Sequence, residues 1–386
     1  MHCCVRLVIA LLVAFALAVP ATEVAASREA AETSFFGPDA TLQKVADGVV
    51  ALERMKGVVV GFLEPDGRRR IFIAGDAGAG SRPLSADTIF EIGSITKTFT
   101  GALLAEAVLR GEVELDDPVS EYLPAGVNMP SRGDRPITLL DLATHRSGLP
   151  RLATGFTPQD PANPYATFDD AKLGEWLSAH ELQRAPGEKA EYSNVGAGLL
   201  GYAIARAAGV RDFPQLVRER ILDPLEMRHT DFDRSRLPSD WLAKGHDEKG
   251  APVPYWDVAA LSGAGGLNST IGDMLIYLDA NTARPKNRME RAMRMAHQPR
   301  ADYGKDRKIG LAWQIREGDG PTLLFHNGGT GGFSSVIAFD PETAAGVVIL
   351  ANSASFWRRE DIAVRLLEGN VAGFPGFDPS RESTGP

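Results

Sequence analysis

Gly93-Ser94-Ile95-Thr96-Lys97 sets a hydroxyl and an amine three residues apart at the start of a long, largely apolar run. On a helix that spacing puts both side chains on one face, within reach of each other. A serine hydroxyl is a poor nucleophile until a neighbour takes its proton. A lysine serves if burial and the positive end of the helix dipole lower its pKa. The same spacing also fits an N-capping serine beside a solvated lysine.

Two further stretches could complete such a site. Tyr192-Ser193-Asn194 follows the turn Ala185-Pro186-Gly187-Glu188 and precedes a helical pattern, so its side chains can project from a loop edge into a cleft. A phenol can pass a proton to a leaving group, and an amide can hold both a lysine and a substrate carbonyl. Taken alone, the tripeptide reads more simply as a packing aromatic beside an Asn cap. In the other stretch, Leu323-Leu324-Phe325 runs into His326-Asn327-Gly328-Gly329-Thr330-Gly331-Gly332-Phe333. Such glycines let backbone N–H groups approach a ligand as an oxyanion hole demands, or equally form a hairpin turn.

The elements that must position these residues fall into strands at both ends and helices between. Lys56 to Glu64 and Arg70 to Ala74 read as a hairpin across Pro65-Asp66-Gly67. Lys308 to Arg316, Thr322 to Phe325, Phe333 to Phe339 and Gly346 to Ala351 are strand-like and join it in one antiparallel sheet. Helical patterns cover Ile95 to Arg110, Leu139 to Thr144, Lys172 to Ala179, Val195 to Ala208 and Ile271 to Ala280. The expected class is therefore α+β, an antiparallel sheet flanked by helices with a mainly helical subdomain.

Each motif occurs once, in the order Ser-x-x-Lys, Tyr-x-Asn, His-x-Gly. That order resembles the penicillin-recognising serine enzymes. The Tyr-x-Asn form is similar to class C β-lactamases and to the related D-Ala-D-Ala carboxypeptidases and esterases. Ile137 to His145, Ser147-Gly148-Leu149-Pro150 and Val348 to Asn352 extend the resemblance, which covers roughly Leu42 to Leu367. It implies a β-lactamase/transpeptidase-like fold, with Ser94 as acylated nucleophile and Lys97 and Tyr192 sharing acid-base work. Asn194 would orient them, and His326, Asn327 and Gly328 would face the substrate. The backbone N–H groups of Ser94 and Gly329 would form the oxyanion hole. The implied substrate is a β-lactam or a peptidoglycan-type peptide amide. A small-molecule esterase and a non-catalytic penicillin-binding sensor are the alternatives.

Two departures bear on substrate. His326-Asn327-Gly328 stands where class C enzymes carry Lys-Thr-Gly, so a permanent cation is replaced by a histidine expected to titrate near ~6.5. Around Ala354 and Trp357, the asparagines that help class C enzymes hold a carboxylate are replaced.

The remaining features set context. Arg6, the apolar run Leu7 to Val19 and Val24-Ala25-Ala26 read as a signal peptide over residues 1–26, so an exported, periplasmic or secreted protein is expected, with no membrane span after cleavage. Residues 27–370 are expected to form one catalytic domain. Its sheet subdomain spans about 38–115 and 266–370, its helical subdomain about 116–265, and 371–386 form a frayed tail. Cys3 and Cys4 precede the apolar run, leaving the mature chain no thiol nucleophile. A net charge of -9 disfavours nucleic acid. His145, His180, His229, His246 and His297 are scattered, so neither a metal nor a cofactor is expected. Gly196 to Gly201 matches Gly-x-Gly-x-x-Gly but lies inside a helical pattern, where close helix packing explains it better.

Overall fold

The valine-rich strand β1 (Gly57–Leu63) is buried along its whole length because its sheet is covered on both faces. Val59 and Leu63 enter one core with Phe99 and Leu275, whereas Val58, Val60 and Phe62 enter another with Leu42 and Ile362. The computed structural model describes residues 34–53, 55–318, 320–355 and 359–370. The signal segment, both cysteines, Trp357 and the segment after residue 370 lie outside these.

β2 (Arg69–Gly75) completes the expected hairpin. The short strands β3 (Ile89–Glu91) and β6 (Asn268–Thr270) pair with each other, as do β4 (Gly245–His246) and β5 (Pro252–Val253). The main sheet continues with β7 (Ala301–Asp302), β8 (Arg307–Ile309), β9 (Gln314–Arg316), β10 (Leu323–Gly329), β11 (Ser334–Phe339) and β12 (Gly346–Ala351). Its order is β2-β1-β12-β11-β10-β9-β8-β7, and every pairing is antiparallel. The fold is thus mixed α+β, an antiparallel sheet with flanking helices.

The strand expected over Lys308 to Arg316 is two strands. Gly310 N–H bonds to Trp313 O, and Ala312 adopts φ 68°, so the chain reverses there. The strand expected to end at Phe325 runs on through Gly329, and the hairpin turn comes later, where Thr330 N–H meets Phe333 O at 2.9 Å. Helix boundaries follow their caps. Asp169, Ser193 and Thr270 each accept a backbone N–H at the start of Asp170–Ala179, Asn194–Ala207 and Ile271–Thr282, and Thr138 with Asp141 forms a capping box on Leu139–Ala143. Helices Asp39–Glu53, Arg288–Ala296 and Arg359–Leu367 were not anticipated from the sequence.

Helix Thr96–Arg110 is buried on every face from Thr96 to Ala107 and stops at Gly111 in the left-handed conformation. It packs against helices Arg288–Ala296 and Asn194–Ala207, and the latter lies so close to the segment 261–263 that a Cβ on Gly198 or Gly201 would stand 2.9 or 2.8 Å from a backbone Cα there. Helix packing therefore accounts for that glycine pattern.

Candidate active site

Ser94 lies in a short 3-10 turn, Gly93–Ile95, between β3 and the buried helix. Gly93 has φ 51° and a Cβ there would come within 2.6 Å of Gly329 N, so only glycine lets the turn sit directly against the end of β10. A Cβ on Gly328 would likewise be 2.1 Å from Ile92 O, so its absence lets strand and turn touch.

Three side chains converge at this turn. Ser94 Oγ is 3.1 Å from Lys97 Nζ and 2.7 Å from the Tyr192 hydroxyl. Lys97 is only 1% exposed, and Nζ also bonds to Asn194 Oδ1 at 2.9 Å and to Ala264 O at 2.6 Å. Burial, reinforced by the charge of Arg151, holds its pKa well below the usual lysine range. An uncharged amine has two hydrogens and one lone pair. Asn194 Oδ1 and Ala264 O can only accept, so both hydrogens go to them and the lone pair is left facing the Ser94 hydroxyl. Burial pushes the Tyr192 phenol up, against smaller opposing effects of Ser94 and Arg151, so it stays protonated and can donate to Ser94 Oγ. This set can deprotonate a serine on one side and protonate a leaving group on the other.

Asn194 is the first residue of its helix, behind the Ser193 cap. Its Oδ1 is committed to Lys97, while Nδ2 has no bond among the described residues and Asn194 lines the cleft. Tyr165, Trp256, Gly329 and Thr330 also stand on the walls of that cleft.

The remaining sequence expectations for β10 need correction. His326 is 1% exposed and does not line the cleft. Alternation along the strand turns its ring inward, where burial and then the nearby Lys97 lower its pKa to about 3. Nδ1 bonds to Asn327 O at 2.7 Å. His326 is therefore a neutral, buried ring near Lys97, its Nε2 without a hydrogen-bond partner among the described residues, and the near-neutral titration expected of it is lost. Asn327 projects from the opposite face, where Nδ2 bonds Glu360 Oε2 at 3.1 Å. It meets helix Arg359–Leu367 instead of a substrate. Gly329 is exposed and lines the cleft.

Several residues here went unrecognised in the sequence. Buried His145, passed over among scattered histidines, packs its ring 4.6 Å from that of Tyr192. The guanidinium of exposed Arg151 lies 4.9 Å from the centre of the same ring and makes no ion pair among the described residues. Arg359 Nη2 lies 3.7 Å from where a Cβ on Gly329 would stand. His145 sat within a stretch that carried the family resemblance, but nothing in its spacing to Tyr192 announced the contact.

The sequence matches the family described as Beta-lactamase over residues 42–370. It is 32% identical to a D-alanyl-D-alanine-carboxypeptidase/endopeptidase, AmpH, of Escherichia coli K12, over 77% of this chain and 80% of the relative. It is 30% identical to a β-lactamase of Pseudomonas fluorescens, over 77% of this chain and 88% of that one. Among solved structures, a β-lactamase/D-alanine carboxypeptidase of Yersinia pestis, complexed with citrate, superposes with a TM-score of 0.73 at 26% identity, covering 84% of this chain and 95% of that one. A class C β-lactamase of Rhodobacter sphaeroides gives 0.70 at 28% identity, covering 84% and 97%.

Proposed function

Because the chain belongs to the β-lactamase family of penicillin-recognising serine hydrolases, we propose that it works through an acyl-enzyme on Ser94, with Lys97 as base and Tyr192 as proton donor. The observation that carries this is the buried Lys97, its Nζ 3.1 Å from Ser94 Oγ and its other contacts, Asn194 Oδ1 and Ala264 O, acceptors only, with burial holding its pKa well below the usual lysine range. Ser94 Oγ attacks the substrate carbonyl as its proton passes to Lys97 Nζ. The N–H groups of Ser94 and Gly329 hold the oxyanion, Tyr192 gives its proton to the departing amine or alkoxide, and Lys97 restores it. Water then repeats the sequence on the acyl-enzyme.

The substrate class is read as a D-alanyl-D-alanine-type peptide, with β-lactams as slower acylating analogues. Support comes from the AmpH relative and from the loss of a permanent cation at His326. A carboxylate would then be met by Arg151, whose guanidinium lies beside Tyr192 and makes no ion pair among the described residues. A second reading, hydrolysis of small neutral esters, is favoured by the Trp256, Val258 and Leu261 side of the cleft. Residues 27–370 are read as one catalytic unit, since a single core joins Val59 and Val348 of the sheet to Leu199 of the helical part. The N-terminal apolar run is read as an export signal. No helix among the described residues is long and apolar enough to cross a membrane.

The test is one panel of a D-Ala-D-Ala peptide, a cephalosporin and an aryl ester, with wild type and Ser94→Ala. Labelling by a fluorescent penicillin should vanish in the variant, and turnover should fall by roughly 10⁴-fold. A Ser94→Ala protein that still labels or turns over normally would exclude the mechanism. Stable labelling with no turnover of any substrate would make the protein a penicillin-binding sensor.

A further inference from the structure

Glu91 is the last residue of β3, three positions before Ser94, and only 5% of it is exposed. Its two carboxylate oxygens point to different walls of the cleft. Oε1 accepts the backbone N–H of Trp256 at 2.7 Å, and Oε2 accepts the hydroxyl of Thr330 at 2.6 Å. Trp256 and Thr330 both line the cleft that Ser94 opens into. Thr330 follows Gly329, whose N–H is one of the two oxyanion donors in the acyl-enzyme reading. Trp256 is held from its other end by Arg234, whose Nη1 bonds to its carbonyl at 3.1 Å and lies 3.8 Å from Glu91 Oε1.

We propose that Glu91 is a positioning residue that ties Trp256 and Thr330 to the nucleophile strand, and so sets both the cleft width and the place of the Gly329 N–H. The proposal rests on the acyl-enzyme reading above and extends it to a control of the same site. The physical reason is that a buried carboxylate must have its lone pairs satisfied, so both walls are drawn to one rigid point.

The tie depends on charge. As an anion Glu91 accepts from both walls and attracts Arg234. Burial pushes its carboxyl up to about 7, against the hydrogen bonds from Thr330 and Trp256 and the charge of Arg234; Asp257 adds to the rise. The other ionisable neighbour is Tyr255, half-buried beside it. Once protonated, Glu91 keeps only one accepting oxygen of full strength, and the Thr330 bond must reverse or break. The ionised form is the one that holds the cleft, so activity should fall as pH drops below about 7.

The test compares pH profiles of kcat/KM on the aryl ester for wild type, Glu91→Gln and Thr330→Val, with fluorophosphonate labelling of Ser94 followed in each. Gln can accept from Trp256 but cannot accept from Thr330, so it imitates the protonated acid at every pH. Glu91→Gln should lose the near-neutral inflection and show roughly a threefold to tenfold lower kcat/KM on the alkaline side of it. Thr330→Val, which cuts one tie at a half-buried position, should give a loss of similar size and a weaker inflection. If Glu91→Gln does not fold, Thr330→Val decides. Variants that label and fold but keep the wild-type profile overturn the proposal. A wild type that hydrolyses substrate without labelling at Ser94 overturns the acyl-enzyme reading instead, and the positioning role falls with it.

Discussion

His145 grips Tyr192 from both sides of its backbone: the N–H of Glu191 bonds to His145 O at 2.7 Å, and the N–H of Ser193 bonds to His145 Nδ1 at 3.2 Å. Nδ1 must be unprotonated to accept, which agrees with the lowering of the ring's pKa well below its usual value by burial and by Lys97. His145→Phe keeps the ring packing but removes that acceptor. Stability should fall by about 1–3 kcal/mol, the cost of a buried unsatisfied N–H. The displaced phenol should lower kcat more than it raises KM. Thermal melting and steady-state kinetics on one ester would check both, and an unchanged kcat would mean that Tyr192 is held by other contacts.

Lys97→Met fills the same buried space without a lone pair. Acylation of Ser94 should slow by roughly 10²- to 10⁴-fold, the range for losing a general base. Melting should change little, because burial already disfavours the charged amine in this pocket. Rapid-mixing rates with a chromogenic cephalosporin give the comparison. Lys97→Arg is a poorer probe, since its permanent charge would be buried where Lys97 has carbonyl neighbours and no carboxylate partner.

Recognition of substrate carboxylates should not divide around the histidine pKa. With His326 neutral from about 3 upward, the ratio of KM values for a cephalosporin and a neutral aryl ester should stay flat between about pH 5.5 and 8.5. Arg151→Gln should raise KM for the anionic substrate roughly twofold to tenfold and leave the ester nearly unaffected, as expected for one partly exposed charge pair. Equal effects on both substrates would remove Arg151 from carboxylate recognition.

His297 offers a pH test away from the cleft. It is buried, donates from Nε2 to Asn281 Oδ1 at 2.9 Å, and burial lowers its pKa to about 3. A base whose folded pKa is lowered loses stability as pH falls below its unfolded value of ~6.5, because only the unfolded chain readily takes the proton. By pH ~5 that loss is about 2 kcal/mol. His297→Gln can keep the bond to Asn281 and cannot titrate, so its stability should decline less between pH ~6.5 and ~5. Denaturant midpoints at several pH values for both proteins would show it; parallel curves would contradict the assignment.

The sequence pattern carried the local rules well and the long-range ones poorly. β12 was legible to the residue, since Val347 to Ile349 is a β-branched run, extended by Leu350 and bounded by Gly346 and a turn. Ser94 and Lys97 were legible because three residues of helix bring them together whatever the rest of the chain does. His326 was misjudged because its facing depends on strand alternation against a helix far away in sequence. Asn327 failed for the same reason, with Glu360 as its distant partner. Helix Arg288–Ala296 was missed although its face of Met289, Ala292, Met293 and Ala296 is buried at helical spacing. Arg288, Glu290, Arg291 and Arg294 on the other face masked that stripe. Glu91 and Arg151 gave no signal, since neither belongs to a pattern with a near neighbour.

The antiparallel pairing of β1 with β12, Val58 against Ala351, also governs how the molecule can be made. β1 emerges early in synthesis, yet on the side away from β2 its hydrogen-bonding edge finds a partner only when the last strand has been delivered. Until then the hairpin of β1 and β2 is an apolar two-stranded ribbon, marginal in water and open to pairing with other chains. Closing the central sheet is thus a step of long sequence separation, and such steps are slow. Folding should be held back until nearly the whole chain is available.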